Sequence, residues 1–331
     1  MSPWGPNFMT YVGMRVASCS GKAALTNVIR FLLLVSLASP LAAQTNTARP
    51  HILGIAHVAL YASDLDRARA FYRGLLGFEE PFTLTRSDGS GWIDFIKIND
   101  EQYLELSPDT AGNGRDLNHF ALHTDDAVGM RSFLASRGID VLGNVHKGNI
   151  GNDFFSVRDP DGHLIEIVQY EPDSWTGQDR GAHMPSKRVS GHIMQIGLRV
   201  GAPNPTLKFY KEVLGFEELR RGDSTDGQAP SITLRVPDGR DRLELLLYRN
   251  VLAPFQQSVQ ERVYFERNDV QQAVAELRAR SASSVHVGRI LLAASQTGIA
   301  SLNDPDGTLL EIAQPAVLAN QPPPVPAVAP R

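Results

Sequence analysis

Cysteine is all but missing from this chain: Cys19 is the single one in 331 residues. It lies within the first 43 positions, so the remainder has no disulfide, no thiolate nucleophile and no cysteine metal ligand. Acidic residues are missing from those same 43 positions, which carry Arg15, Lys22 and Arg30 but no Asp or Glu. Long hydrophobic runs are missing throughout. No stretch reaches the roughly 18 uncharged apolar residues of a membrane-spanning helix, so none is expected in the mature form. No glycine-rich phosphate loop occurs either, so no nucleotide cofactor is expected.

The acid-free start has a positive layout of its own. A basic segment ends at Arg30, an apolar run covers Phe31 to Ala38, and small residues follow through Ala42 and Ala43. This is the arrangement of a secretory signal peptide over residues 1–43, and it predicts a periplasmic or secreted protein. Leu41 at the −3 position leaves the cut after Ala43 unfixed, and Met14 offers a second start. Without the leader, 29 basic residues stand against 36 acidic ones, a net charge of −7. Such a balance argues against a nucleic-acid partner. At the other end, residues 315–331 are proline-rich and uncharged before Arg331, the composition of a disordered tail.

Between these ends the chain repeats itself. FYRGLLGFEE at 71–80 returns as FYKEVLGFEE at 209–218, and RDPDGHLIEIVQ at 158–169 returns as NDPDGTLLEIAQ at 303–314. Two copies of one design therefore span about 51–171 and 190–314, joined by a segment of linker composition at 172–189. Each copy divides again. In copy one, GIAHVALYAS (54–63) reads as a strand. Leu65, Ala68, Phe71, Tyr72, Leu75 and Leu76 then follow helical spacing, with Asp64 as N-cap and Gly77 at the end. GWIDFIKI (91–98) and QYLELS (102–107) read as strands. NHFALHT (118–124), the helical DAVGMRSFLASRG (126–138), DFFSVRD and HLIEIVQY repeat the plan across a DPDG turn. In that turn Asp opens, Pro fixes φ and Gly permits positive φ.

HVALYASDLDRARAFYRGLLGF, NHFALHTDD and DPDGHLIEIVQ resemble the vicinal oxygen chelate superfamily of glyoxalases, bleomycin-resistance proteins and extradiol dioxygenases. The resemblance covers nearly all of 51–314. It implies an α+β fold of four βαβββ modules, paired into two glyoxalase-like domains whose mixed sheets curl around a central cleft.

Copy one places His57 and Glu105 on the first and last strands of its first module, and His119 and Glu166 at the matching places in its second. The spacings are 48 and 47. Alternate side chains of a strand share a face, so one inward residue from each of four strands can meet at a point. Two imidazoles and two carboxylates suit one divalent ion: Zn, Ni, Co, Mn or Fe(II). The four positions match the ligand positions of the superfamily. The plainer reading is a packed histidine and solvent-facing glutamates.

Copy two keeps the scaffold but not the set. Gln195, Glu244, Arg262 and Glu311 occupy the corresponding places. A guanidinium has no lone pair, so this copy is expected to hold no metal, with Arg262 paired to Glu244 or Glu311. Crossed pairing remains open. It would join His119 and Glu166 to Gln195 and Glu244.

Three functions compete. The first is a metal-dependent lyase or isomerase of glyoxalase type on a small oxygen-chelating substrate. There Glu166 would carry a proton between neighbouring carbons, its basicity raised by a dry site, with His123 as a second base or outer partner. Glutathione substrates fit an exported protein poorly. The second is an extradiol Fe(II) dioxygenase using His57, His119 and Glu166. That signature wants a tyrosine where Ser156 stands and a histidine where Lys147, Gly148 and Asn149 stand, with His146 one residue away. The third is a metal-free protein that binds a small molecule in a cleft lined by Tyr61, Tyr103 or Trp92. The partner in each case is a small molecule, and the protein a monomer or homodimer.

Overall fold

Alternating strand residues build two faces, and the computed structural model shows how each is used. It describes residues 48–89, 91–109, 117–222, 230–248, 260–283, 293–294 and 298–315. The expected leader and the expected tail beyond Pro315 lie outside the described residues. Copy one supplies β1 (Ile52–Ala62), β2 (Glu79–Thr85), β3 (Gly91–Asn99) and β4 (Gln102–Pro108), then β5 (Leu117–Thr124), β6 (Val141–Lys147), β7 (Asp153–Arg158) and β8 (Leu164–Gln169). They form one sheet in the order β2-β3-β4-β1-β5-β8-β7-β6.

Copy two supplies β9 (Ile193–Val200), β10 (Glu217–Gly222), β11 (Ser231–Arg235), β12 (Arg242–Leu247), β13 (Arg262–Glu266), β14 (Ala293–Ala294), β15 (Ile299–Asn303) and β16 (Leu309–Ala313). Their order, β10-β11-β12-β9-β13-β16-β15-β14, is the same arrangement. The architecture is α+β: four βαβββ modules form two curled sheets. In each sheet the first strands of the two modules pair antiparallel, β1 with β5 and β9 with β13. Modules therefore pair within each copy and not crosswise.

In β1 and β4, Val58, Leu60, Leu104 and Leu106 enter the core. Phe120, Leu122, Ile165 and Ile167 do the same from β5 and β8, and one apolar core runs through both copies. His57, Glu105, His119 and Glu166 occupy the intervening positions, so the period of two that builds the core also lines the other face.

The first helix starts as α1 (Leu65–Arg69), with the Asp64 side chain accepting from the amides of Asp66 and Arg67. It continues as a π-helical turn over Ala70–Leu75 and ends before Gly77, whose φ is 77°. α4 (Pro203–Leu207) and a π-helical turn over Lys208–Val213 follow the same course in copy two, with Ala202 at the N-cap and no side-chain cap. The remaining helices among the described residues are α2 (Ala127–Ser136), α3 (Trp175–Gln178) and α5 (Val270–Ser283). No helix among the described residues is long and apolar enough to cross a membrane.

The two repeated motifs meet each other across the copies. Tyr72 donates to Asp304 at 2.9 Å, and Tyr210 donates to Asp159 at 3.0 Å. The second Asp of each DPDG turn serves the other copy too: Asp161 accepts from the Gly201 and Ala202 amides, and Asp306 from that of Ser63. Each turn thus holds the backbone amides that lead into the facing helix.

The segment of linker composition folds back onto copy one. Ser174 caps α3, and Trp175 packs against Phe82, Phe95 and Tyr103 at centroid distances of 5.7, 5.6 and 5.8 Å. Buried Lys97 reaches Asp179 at 2.7 Å.

Candidate metal centre

Strand register decides which side chains converge. Ala59 of β1 lies between Glu105 on β4 and His119 on β5, while His57 faces Ala121, whose partner on β8 is Glu166. The four sequence-predicted residues are brought together. His57, Glu105 and His119 each offer a donor atom within 4.8 Å of the others. The two Nε2 atoms stand 3.0 Å apart. From His57 Nε2, Glu166 lies at 3.5 Å and Glu105 at 3.8 Å, and both carboxylates lie 3.7 Å from His119 Nε2.

These separations test the fit of an ion. Two donors about 2.1 Å from one centre lie roughly 3.0 Å apart at a right angle and roughly 3.4 Å at the tetrahedral angle. The imidazole and carboxylate spacings come within a few tenths of an ångström of these, with each carboxylate meeting the two rings through different oxygens and Glu166 outside the three whose single donor atoms all converge. A nitrogen and oxygen set of this kind suits a borderline divalent ion.

Neighbours orient both rings. His57 stacks on Tyr103 with centroids 4.8 Å apart, and His119 Nδ1 lies 3.2 Å from Asn118 Oδ1. With Asn118 Oδ1 accepting from Nδ1, the His119 lone pair lies on Nε2, a contact absent from the sequence expectation. Burial alone would lower the His57 pKa, but Glu105 and Glu166 outweigh it and hold it above the usual value. Burial holds His119 low. Burial would raise Glu166, yet the His57 hydrogen bond and the two imidazoles bring it below the ordinary range. In the free cluster this is opposite to the raised basicity expected of Glu166.

Other expected residues stand apart. His123 stacks on Tyr170 at 4.4 Å with its Nδ1 3.7 Å from Glu101, and none of the four is among its partners. Trp92 is exposed, while Tyr103 is buried beneath His57. Ser156 lies directly opposite Glu166, so a hydroxymethyl group occupies the place a dioxygenase signature gives to tyrosine.

Copy two fills the corresponding places differently. Arg262 pairs with Gly197 in register as His119 pairs with Ala59, and Tyr264 takes the place of Ala121. A Cβ on Gly197 would lie 2.7 Å from Arg262 Cγ, so this glycine makes room for the guanidinium. Arg262 reaches Glu311 at 3.9 Å. Tyr264 donates to Glu244 at 2.6 Å, and Gln195 Nε2 lies 3.5 Å from the same oxygen. Ser301 donates to Glu311 at 2.7 Å. The carboxylates are engaged by an arginine and three hydrogen-bonding side chains.

A cavity of about 360 Å³ opens beside His119, between the copies. Asn118, Arg158, His163, Arg199, Tyr248 and Glu261 are among its walls.

A family model described as "Glyoxalase/Bleomycin resistance protein/Dioxygenase superfamily" matches residues 54–167 and 191–312. A lactoylglutathione lyase of Arabidopsis thaliana is 26% identical over 178 residues, covering 50% of this chain and 56% of that protein. The chain thus spans little more than half the length of this relative. Among solved structures, the Mn(II)-bound glyoxalase from Novosphingobium aromaticivorans superposes with a TM-score of 0.57 at 18% identity, covering 80% of this chain and 83% of that one. The 2,3-dioxygenase LapB from Pseudomonas sp. KL28 gives 0.58 at 17%, covering 81% and 93%.

Proposed function

We propose, from the premise that this chain belongs to the Glyoxalase/Bleomycin resistance protein/Dioxygenase superfamily, that copy one is a metal-dependent lyase or isomerase of glyoxalase type acting on a small oxygen-chelating substrate. One observation carries the choice. Glu105 stands with the other three, 3.7 Å from His119 and 3.8 Å from His57. A ring-cleaving iron site needs two histidines and one carboxylate with open positions. Here Glu105 would supply a second carboxylate to the ion, and Ser156 replaces the tyrosine.

His57, Glu105, His119 and Glu166 would hold the ion, which supplies Lewis acidity to two neighbouring oxygens of the substrate. Stacking on Tyr103 holds the plane of the His57 ring, and an Asn118 oxygen that accepts from His119 Nδ1 leaves the Nε2 lone pair of His119 toward the ion. Phe95 lies opposite Glu105 on the same face, and with Trp175 it walls off water on that side. Glu166 is the carboxylate to carry a proton between substrate carbons, and in the free cluster its pairing with the two imidazoles holds its basicity below the ordinary range. The adjoining cavity carries Arg158 and Arg199 beside Asp161 and Glu261, with His163 paired to Glu261, and so sets no single charge for the substrate. The relatives' name makes a lactoylglutathione the first compound to assay.

Elemental analysis of the desalted protein beside a His119→Ala variant tests the reading. About one equivalent of Ni, Zn, Co or Mn, lost in the variant, is the expected result. Bound iron with oxygen uptake on a catechol would move the assignment to a dioxygenase. No metal in either protein after reconstitution would refute both.

A further inference from the structure

The two copies exchange more than their tyrosines, and the exchange is lopsided. Glu261 precedes β13 in copy two and is 4% exposed. Its Oε2 accepts from the Leu117 amide at 3.0 Å, and its Oε1 lies 3.0 Å from His163 Nε2. Both partners belong to copy one. Leu117 opens β5 two residues before His119, at a point where the β1–β5 register slips, and its amide goes to Glu261. His163 sits in the turn that enters β8, three residues before Glu166. Its Nδ1 lies 2.7 Å from Asp159, which also accepts from Tyr210 of copy two.

The equivalent corner of the other half lacks this tie. Thr308 replaces His163, and its buried hydroxyl finds no hydrogen-bond partner among the described residues. Asn118 replaces Glu261 and turns to His119. The charged tie exists only beside the copy with the complete donor set.

We propose that Glu261, carried by the copy without a ligand set, is a positioning residue for the centre in copy one. It ties the start of β5 to the turn entering β8 and so holds His119 and Glu166 at coordinating separation. The inference rests on the metal-centre reading above. Burial opposes charge on His163, but its bonds to Asp159 and Glu261 raise its pKa to about 10, so the tie is ionic at neutral pH. The retained second copy thereby acquires a role, because it contributes a side chain that copy one's own modules do not supply.

The test uses chelator-stripped full-length protein titrated with Co(II), whose absorption reports coordination, together with amide hydrogen exchange. Glu261→Ala should weaken Co(II) binding about tenfold or more while the chain stays folded. It should also speed exchange at the amides of 117–121 and 164–167. Glu261→Gln keeps an acceptor for the Leu117 amide and should recover most of the affinity. His163→Thr, which copies the other half, should fall between. Wild-type affinity in a folded Glu261→Ala variant, or faster exchange without lost affinity, would overturn the positioning role. A wild type that takes up no Co(II) would overturn the metal-centre reading itself, and this proposal with it.

Discussion

Asp159 and Asp304 hold the same place in the repeat and accept the same tyrosine contact, yet their amide variants should shift stability in opposite directions. No histidine stands beside Asp304 as His163 stands beside Asp159, because Thr308 takes that place. Burial, aided by the charge of Asp306, pushes the Asp304 carboxyl up to about 6 from an ordinary 3.8. A folded-state value above the unfolded one means that the folded chain binds the proton more tightly. Stability therefore falls as pH rises from about 4 through about 6, and the penalty is complete above that. Two units correspond to about 3 kcal/mol. Asp304→Asn removes the charge and keeps an oxygen for the amides of Asp306 and Thr308, which Asp304 now accepts. It costs the Tyr72 hydroxyl its acceptor, about 1 kcal/mol. The net gain should be about 2 kcal/mol at pH 8, reach zero near about pH 4.5 and become a loss of up to about 1 kcal/mol at lower pH.

Asp159 faces His163 instead. His163 is raised to about 10 by Asp159 and Glu261 against the pull of burial, so its contribution is whole below about pH 6.5 and fades as pH climbs to 10. Asp159→Asn breaks this buried pair and should cost about 3 to 5 kcal/mol at neutral pH. Urea unfolding of both variants at pH 4.5, 7 and 8 is the assay. Equal destabilisation by the two, or an Asp304→Asn effect that ignores pH, would refute the reasoning.

Three further outcomes follow from copy two and the connecting segment. Gly197→Ala should destabilise by about 1 to 3 kcal/mol through overpacking against Arg262, and Arg262→His should relieve it in a double-mutant cycle. Arg262→His alone should add no metal, because the Tyr264 hydroxyl stays on Glu244. With Gln195→His, Tyr264→Ala and Gly197→Ala added, elemental analysis should find a second equivalent. Trp175→Ala should cost about 3 kcal/mol in thermal or urea unfolding, since its ring packs on three aromatic side chains.

Much of the fold was legible because it is written twice. The matching FY and DPDG motifs fixed the repeat, and the period of two in HVALYA, YLEL, HFALH and LIEI showed which residues share a face with His57 and Glu166. The strands β2 and β6 were implied by the βαβββ plan but given no range. β2 is only half-buried and β6 is half-buried to exposed, so neither shows the strong alternation of a strand with one face in the core. Pairing within copies could not be read from spacing, because either pairing satisfies equal ligand spacings. The connecting segment misled through its Gly, Pro and Asp content. Its informative residues were Trp175 and Asp179, and their partners Phe82, Phe95 and Lys97 lie about 80 to 100 positions away, where no local pattern can show them.

The loss of the second site was half legible, and the missing half explains the rest. Arg262 in a ligand's place is visible in the sequence as a lone substitution. What makes it tolerable is not local to it: Gly197 on β9 clears its stem, and Tyr264 turns a hydroxyl onto Glu244. Ala59 and Ala121 are small at the same register positions in copy one, where His119 and Glu166 need room to converge. Small residues beside the ligands thus accompany an open centre, and glycine with tyrosine accompanies a filled one. If the pattern reflects packing, exchanging only the four ligand positions between copies should leave copy two short of a metal, whereas exchanging Ala59 and Ala121 as well should transfer it. Metal uptake by the ligand-only exchange would show that the flanking residues are incidental.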